Sequence, residues 1–454
     1  MHEAAKEKRT NTIVHPRYGC AIGAVYSVAA IPGAVPLANC GPGCASKQFN
    51  FLSKGNGFQG AAGAGGGAMP SVNVGENEIV FGGAKKLDEL IQSSLRIMQG
   101  ELFVVLTGCS GELVGDDVGS VVRKYRQAGK PVIYANVAGF KGNNLVGHEV
   151  VLREIIDQFV GQFVGNSKVK KQKNLINLFF EIPYFNTNWR GDFIEMKRIL
   201  EGAGLRVNVL FGSESGGVEE WKNIPKAQFN LVVSPWVGLA AAAHLEKKYR
   251  QPYLHVPVIP VGEEATSAFI REVVAFAGIN PQKSEAFIED EARRYYYFLE
   301  HFSEFFSEYW FGLPSKFAVA SDSATNIALT KFLADQIGAI PVKQIVTDNP
   351  PEKYREAISR LYQNLSDGVS AYVEFIEDGY LIEKEIGNAD FSASIPLIFG
   401  SSWEMDVAEK LKGLLVRVGA PDTEEVVLNR SYIGYKGALT LLETIYTTVV
   451  GRKQ

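Results

Sequence analysis

Three of the chain's four cysteines, Cys20, Cys40 and Cys44, fall within VHPRYGCAIGAVYSVAAIPGAVPLANCGPGCASKQF, residues 14–49, and the fourth is Cys109 in LFVVLTGCSGELVGDD. Thiols in so small-residue a setting can serve as nucleophiles, redox groups or metal ligands. A nucleophile wants a histidine as its base, and spacing sets none of the six histidines beside a cysteine. Zinc sites commonly use two close C-x-x-C pairs; Cys40 and Cys44 have three residues between them and no second pair. An iron–sulfur cluster suits the pattern better, because separate loops can each give one thiolate and glycine lets backbone approach the sulfides. Inert buried thiols are the competing reading, cysteine being a common small core residue. The residues alone leave these two open.

The elements that must position the thiols alternate. Apolar runs that read as buried strands, LFVVLTG and PVIYANVAGF, are each followed by a turn and a helical pattern. The run EIVFGG before AKKLDELIQSSLRIMQG reads the same way, and the glycine-rich FQGAAGAGGGAMPSVNVGE at 58–76 reads as a loop. NSKVKKQK at 166–173 is a candidate linker, after which NLINLFFEIP, QFNLVVSPWVG and PYLHVPVIPVG alternate with helices. One long helix is expected over 284–312, bridging into a last set that begins at SKFAVASDS. Three such sets predict an α/β protein of three Rossmann-like domains with mainly parallel sheets, divided as 1–165, 166–283 and 284–454. Ligands in such sheets gather at the carboxyl ends of strands, and Cys109 and the Cys40/Cys44 pair both follow apolar runs closely.

Composition narrows the classes. At 454 residues the chain exceeds one ordinary core. A net charge of -4 gives no electrostatic reason to expect nucleic acid or an anionic membrane. No apolar run reaches the roughly 18 residues that cross a bilayer, and MHEAAKEKRTN lacks the apolar segment of a secretory signal, so a cytoplasmic protein with reduced thiols is expected.

The order of several pieces resembles component 1 of nitrogenase and its relatives. They are Gly19-Cys20-Ala21-Ile22-Gly23-Ala24, NCGPGC ending at Cys44, VNVGENEIVFGG at 72–83 and TGCSGELVGDD around Cys109, with LVVSPWVGLAAAAHLEKKYRQPYL and SYIGYKGALTLLETI later. The resemblance implies three domains of the nitrogenase component 1 type. It implies an iron–sulfur cluster, P-cluster-type 8Fe-7S or 4Fe-4S, shared with an α-type partner subunit, with Cys20, Cys44 and Cys109 as this chain's ligands. Cys40 has no counterpart in that pattern and is taken as a buried neighbour. The domains after residue 165 hold no cysteine, so the anchor of a catalytic metallocluster found in α subunits has no equivalent, and the chain looks like a β-type subunit. A serine that can join the oxidised cluster in nitrogenase β chains is matched here by Gly139.

What the likeness implies is an oxidoreductase subunit, in an α2β2 heterotetramer, relaying electrons from an ATP-hydrolysing iron protein to a site in the α-type partner. Candidate reactions are reductive carbon–sulfur cleavage of methylthio-alkanes or another small-molecule reduction; the alternatives are nitrogenase proper and a cofactor-assembly scaffold. GAAGAGGG lacks the G-K-[ST] ending of a phosphate loop, so ATP is not expected on this chain. His15 and Arg17 either tune the cluster or simply pack their loop. The turn Gly115-Asp116-Asp117 either shapes a docking surface or caps a helix. The aromatic run RRYYYFLEHFSEFFSEYWF reads as core at helical spacing, and the acids of IEDEA and PDTEEV as solvated faces.

Overall fold

The computed structural model describes residues 16–57, 69–164, 169–309 and 312–451; His15 and most of the glycine-rich run lie outside these. Twelve strands among the described residues form three sheets, and every pairing is parallel. The first, in the order β1-β2-β3, consists of Ala34–Asn39, Leu102–Thr107 and Val132–Asn136. The second runs β5-β4-β6-β7, with β4 Gln172–Phe179, β5 Arg206–Val209, β6 Ala227–Val233 and β7 Tyr253–Val256. The third runs β10-β9-β8-β11-β12, with β8 Lys316–Ser321, β9 Ile340–Val346, β10 Val373–Phe375, β11 Leu397–Gly400 and β12 Leu414–Arg417. Parallel strands need crossovers and are covered on both faces. Accordingly β2, LFVVLT, is buried at every position.

Local rules explain the joints. Asp117 caps the helix Val118–Gln127 by accepting the Ser120 N–H at 2.9 Å, and Gly115 ends the preceding helix in the left-handed region. Asp116 accepts the Gly83 N–H at 2.7 Å, so all three residues of that turn have structural work. The expected strand at EIVF is instead the short helix Glu76–Phe81, because the Glu78 side chain turns back to accept the Gly75 N–H at 2.7 Å. The long helix spans Gln282–Tyr309. Its Tyr295 is buried and Phe302 packs edge-on against Tyr446, whereas Tyr296, Tyr297 and Phe298 are exposed.

Two acidic runs are solvated only in part: Glu289 and Glu424 are exposed, but each run also holds one buried acid. Glu291 of IEDEA is buried and pairs with Arg198 at 2.6 Å. Asp422 of PDTEEV is buried, its main chain exchanging hydrogen bonds with Gly55 and Gly57. Arg17 is also claimed by the fold: it is buried, bonds Ser401 Oγ and Glu404 Oε2 at 3.1 Å each, and stacks near Trp403. The segment leading to Cys20 is thereby clamped to the third sheet. Removing one partner of a buried pair leaves an uncompensated charge, so Arg17→Leu is expected to cost about 3–5 kcal/mol. Chemical denaturation checks this, and Glu404→Leu added to Arg17→Leu should recover part of the loss.

Candidate functional site

The carboxyl ends of β1, β2 and β3 place the thiols. β1 and β2 pair in register from Ala34↔Leu102 to Asn39↔Thr107, which brings Cys40 and Gly108 to the same edge. Cys44 lies in the first turn of the helix Pro42–Lys54, and Cys109 opens the helix Cys109–Val114. Cys20 arrives from the other side, bridged to Asn143, with the Ala21 N–H on Gly142 O at 2.9 Å. Two interlocked glycines permit this approach. A Cβ at Gly147 would lie 2.1 Å from Ala21 O, and one at Gly23 would lie 2.7 Å from Asn144 Cβ.

Gly139, just past β3, is where the sulfurs meet. A Cβ there would stand 3.1 Å from Cys20 Sγ and 3.2 Å from Cys109 Sγ, so both sulfurs border the hollow that this glycine leaves. Its N–H already donates to Cys109 Sγ at 3.0 Å. The Cys44 thiol is pushed up by burial and then by the neighbouring Cys20 and Cys109 thiols. Cys20, Cys44 and Cys109 are part-exposed, whereas Cys40 is buried and its thiol is pushed up to about 12, chiefly by burial. Asn39 and Thr107, the last residues of β1 and β2, carry buried polar atoms without a partner. Around the edge, Lys141 pairs with Glu112 at 2.6 Å, and the apolar side chains of Phe81, Leu113 and Phe140 are 84%, 75% and 60% exposed.

Of the residues singled out in the sequence, Cys20 and Cys109 border Gly139, and Cys44 lies in a helix that starts at the same sheet edge. Arg17 is not among the groups facing the sulfurs. Among the described residues, no three His, Cys, Asp or Glu side chains are arranged to hold a single metal ion.

A second polar centre escapes a reading of the sequence alone. Glu181, Asp322 and Asp348 line a cavity of about 30 Å³ at the carboxyl ends of β4, β8 and β9. Asp348 accepts from Trp236 Nε1 at 2.9 Å and from Ser323 Oγ at 2.8 Å, and Asp322 caps the helix Ser323–Lys331. Burial and then the neighbouring Asp322 raise Asp348 from 3.8 to about 7; burial holds Glu181 well above the carboxylate range, next to Asp192 at about 7. The signal that could have found it is an aspartate one or two residues past each of two strands, in SDS and VTD.

The comparisons with known proteins agree with this architecture. A profile of the family described as nitrogenase component 1 type oxidoreductase matches residues 20–450. The chain belongs to that family, on the side of its β-type members. It is similar to the nitrogenase molybdenum-iron protein beta chain of Clostridium pasteurianum, at 23% identity over 97% of this chain and 93% of the relative. With the Frankia alni beta chain the identity is 26%, over 96% and 82%. A light-independent protochlorophyllide reductase polypeptide of Pleurastrum terricola is 25% identical over 83% of this chain and 72% of its own length. A solved structure of nitrogenase Cp1 at pH 6.5 superposes with a TM-score of 0.78 and 21% identity, covering 98% and 95% of the two chains, and shares the fold. No helix among the described residues is long and apolar enough to cross a membrane.

Two outcomes follow from this geometry. Gly147→Ala should drive the Cys20 segment off its helix, costing about 1–3 kcal/mol and speeding alkylation of Cys20 relative to the other thiols, read by mass spectrometry. For Asp348, the folded chain keeps a proton up to about pH 7 that the unfolded chain releases near its ordinary value of 3.8. The unfolded state therefore binds fewer protons between those values, and stability falls as pH rises through that window. Urea midpoints across the window should fall less steeply in Asp348→Asn.

Proposed function

We propose that this chain is the β-type subunit of a two-component iron–sulfur reductase, with Cys20, Cys44 and Cys109 ligating a cluster of 8Fe-7S or 4Fe-4S type at the interface with an α-type partner. The observation that carries the reading is that the Cys20 and Cys109 sulfurs, from separate loops, both border the hollow at Gly139, with Cys44 at the head of a helix on the same sheet edge. The donor set suits such a group: three part-exposed thiols, a cradle that one added Cβ would fill, a backbone N–H already on one sulfur, and unspent polar atoms at the strand ends. Three thiolates from this chain would leave the partner to supply the remaining ligands.

When bound, the cluster would supply reversible electron acceptance between an ATP-hydrolysing iron protein and a catalytic site in the α-type partner. This chain's residues hold and tune. The N-terminus of the helix Pro42–Lys54 favours negative charge on Cys44, and the Gly139 N–H spreads charge from Cys109. The exposed Phe81, Leu113 and Phe140 beside the thiols are the surface offered to the partner proteins, in an α2β2 assembly of the reducing cytoplasm. The relatives' names point to two chemistries, a molybdenum-iron nitrogenase and a protochlorophyllide reductase, so what this chain takes from them is the reductase class. Within it, carbon–sulfur reduction of methylthio-alkanes or another small molecule is the proposed direction.

Anaerobic co-purification with the α-type partner tests the reading. The pair should be brown and contain iron and sulfide, and Cys109→Ala should lose most of both while remaining folded. A folded, colourless, iron-free pair, or an unchanged spectrum in Cys109→Ala, contradicts it.

A further inference from the structure

Part of the aromatic run in the helix Gln282–Tyr309 belongs neither to the core nor to the thiol edge. The inner side of that helix is fixed: Ile288, Glu291 and Tyr295 are buried, Glu291 pairs with Arg198, and Phe302 meets Tyr446 edge-on. Tyr296, Tyr297 and Phe298 are thereby turned outward, 53%, 57% and 56% exposed. A single exposed aromatic is ordinary, but three in succession make an apolar patch. The rings are also held in place. Tyr296 donates its hydroxyl proton to Glu263 Oε2 at 2.9 Å, and the Tyr297 ring centre lies 5.2 Å from that of Phe298 and 4.5 Å from that of His301. A plate ordered in advance loses little further freedom on binding.

Charge around the plate has a direction. Arg293 and Arg294 stand four and three residues before Tyr297, and Glu300 stands three after it, so all lie about one turn away on the same outward side. All three charged residues are exposed. Arg293 and Arg294 pair only back along their own helix, with Asp290 and Glu291, and Glu300 has no ion pair among the described residues. When a second helix of the same sequence is laid antiparallel across a two-fold axis beside Tyr297, ring faces ring, and the two arginines of each copy meet Glu300 of the other. Asp290 then falls opposite Glu304, but both arginines of its own chain already cover it. A two-fold contact requires a self-complementary patch of this kind.

We propose that the outward face of the helix Gln282–Tyr309 binds a second copy of this chain and joins two αβ halves through Tyr297. The proposal rests on the α2β2 assembly proposed above, whose α-type partner is placed at the thiol edge and does not use this face.

Sedimentation velocity of the co-purified pair at matched concentration tests this with wild type, Tyr297→Asp, Glu300→Arg, and Glu300→Arg combined with Arg293→Glu. Wild type should run as α2β2. Tyr297→Asp should weaken association of the halves about thirtyfold, as loss of a central aromatic contact does, and leave αβ particles. Glu300→Arg sets like charges against each other and should weaken association about tenfold, and adding Arg293→Glu should recover most of that. Iron and sulfide per αβ pair should be equal in all four. Wild type running only as αβ, or Tyr297→Asp and Glu300→Arg both running as wild type does, would overturn the proposal. Iron-free wild type of α2β2 mass would refute the cluster assignment instead, and the same variants would still decide this contact.

Discussion

Sulfur atoms from three loops can meet only if backbone meets backbone with no side chain between. That constraint runs through the first sheet's carboxyl edge. Gly147 lets a helix rest on the carbonyl of Ala21, Gly23 lets the same segment pass Asn144, Gly108 makes room for Cys40, and Gly139 leaves the hollow that Cys20 and Cys109 border. Each glycine forgoes side-chain packing and loses more conformational freedom on folding than another residue would. The loss is offset by the long apolar core beneath, in which β2 is buried throughout.

The same logic explains how a segment outside the first sheet reaches the site. Cys20 is not on a strand; it is carried in by a loop whose far end is fixed through Arg17 to Glu404 and Ser401 of the third sheet's flank. A buried charge pair is a poor source of net stability, but it specifies position well. The thiol edge and the acidic cavity are two separate polar centres at the carboxyl ends of parallel strands. In the cavity, burial keeps the Asp348 carboxyl protonated into the neutral range; at the thiol edge, part-exposed thiols border a surface that a cation-rich group can neutralise.

Much of this is legible in the residues. The strands β2, β3, β4, β6, β8 and β9 are apolar runs closed by turn residues, and periodicity finds such runs. The cysteine positions lead to the carboxyl edge of the first sheet, and the order of motifs points to the family. What stays hidden is set by contacts far apart in sequence. No local pattern shows that Arg17 meets Glu404, that Glu291 meets Arg198, or that Asp422 is tied to Gly55 and Gly57. The helix Glu76–Phe81 reads as a strand because its short apolar run carries no period, while the deciding interaction, Glu78 bonding back to Gly75, is a cap rather than a hydrophobic signal.

The central claim concerns where iron sits relative to named sulfur atoms. Diffraction from crystals of the chain with its α-type partner, recorded on either side of the iron absorption edge, locates the metal without reference to activity or colour. The account predicts one compact group of iron peaks at the interface between the two chains, bonded to Cys20, Cys44 and Cys109 of this chain and to thiolates of the partner, with Gly139 against it and Cys40 unbonded behind Cys44. Iron peaks elsewhere in the pair, with these three sulfurs bonded to none of them, would contradict it.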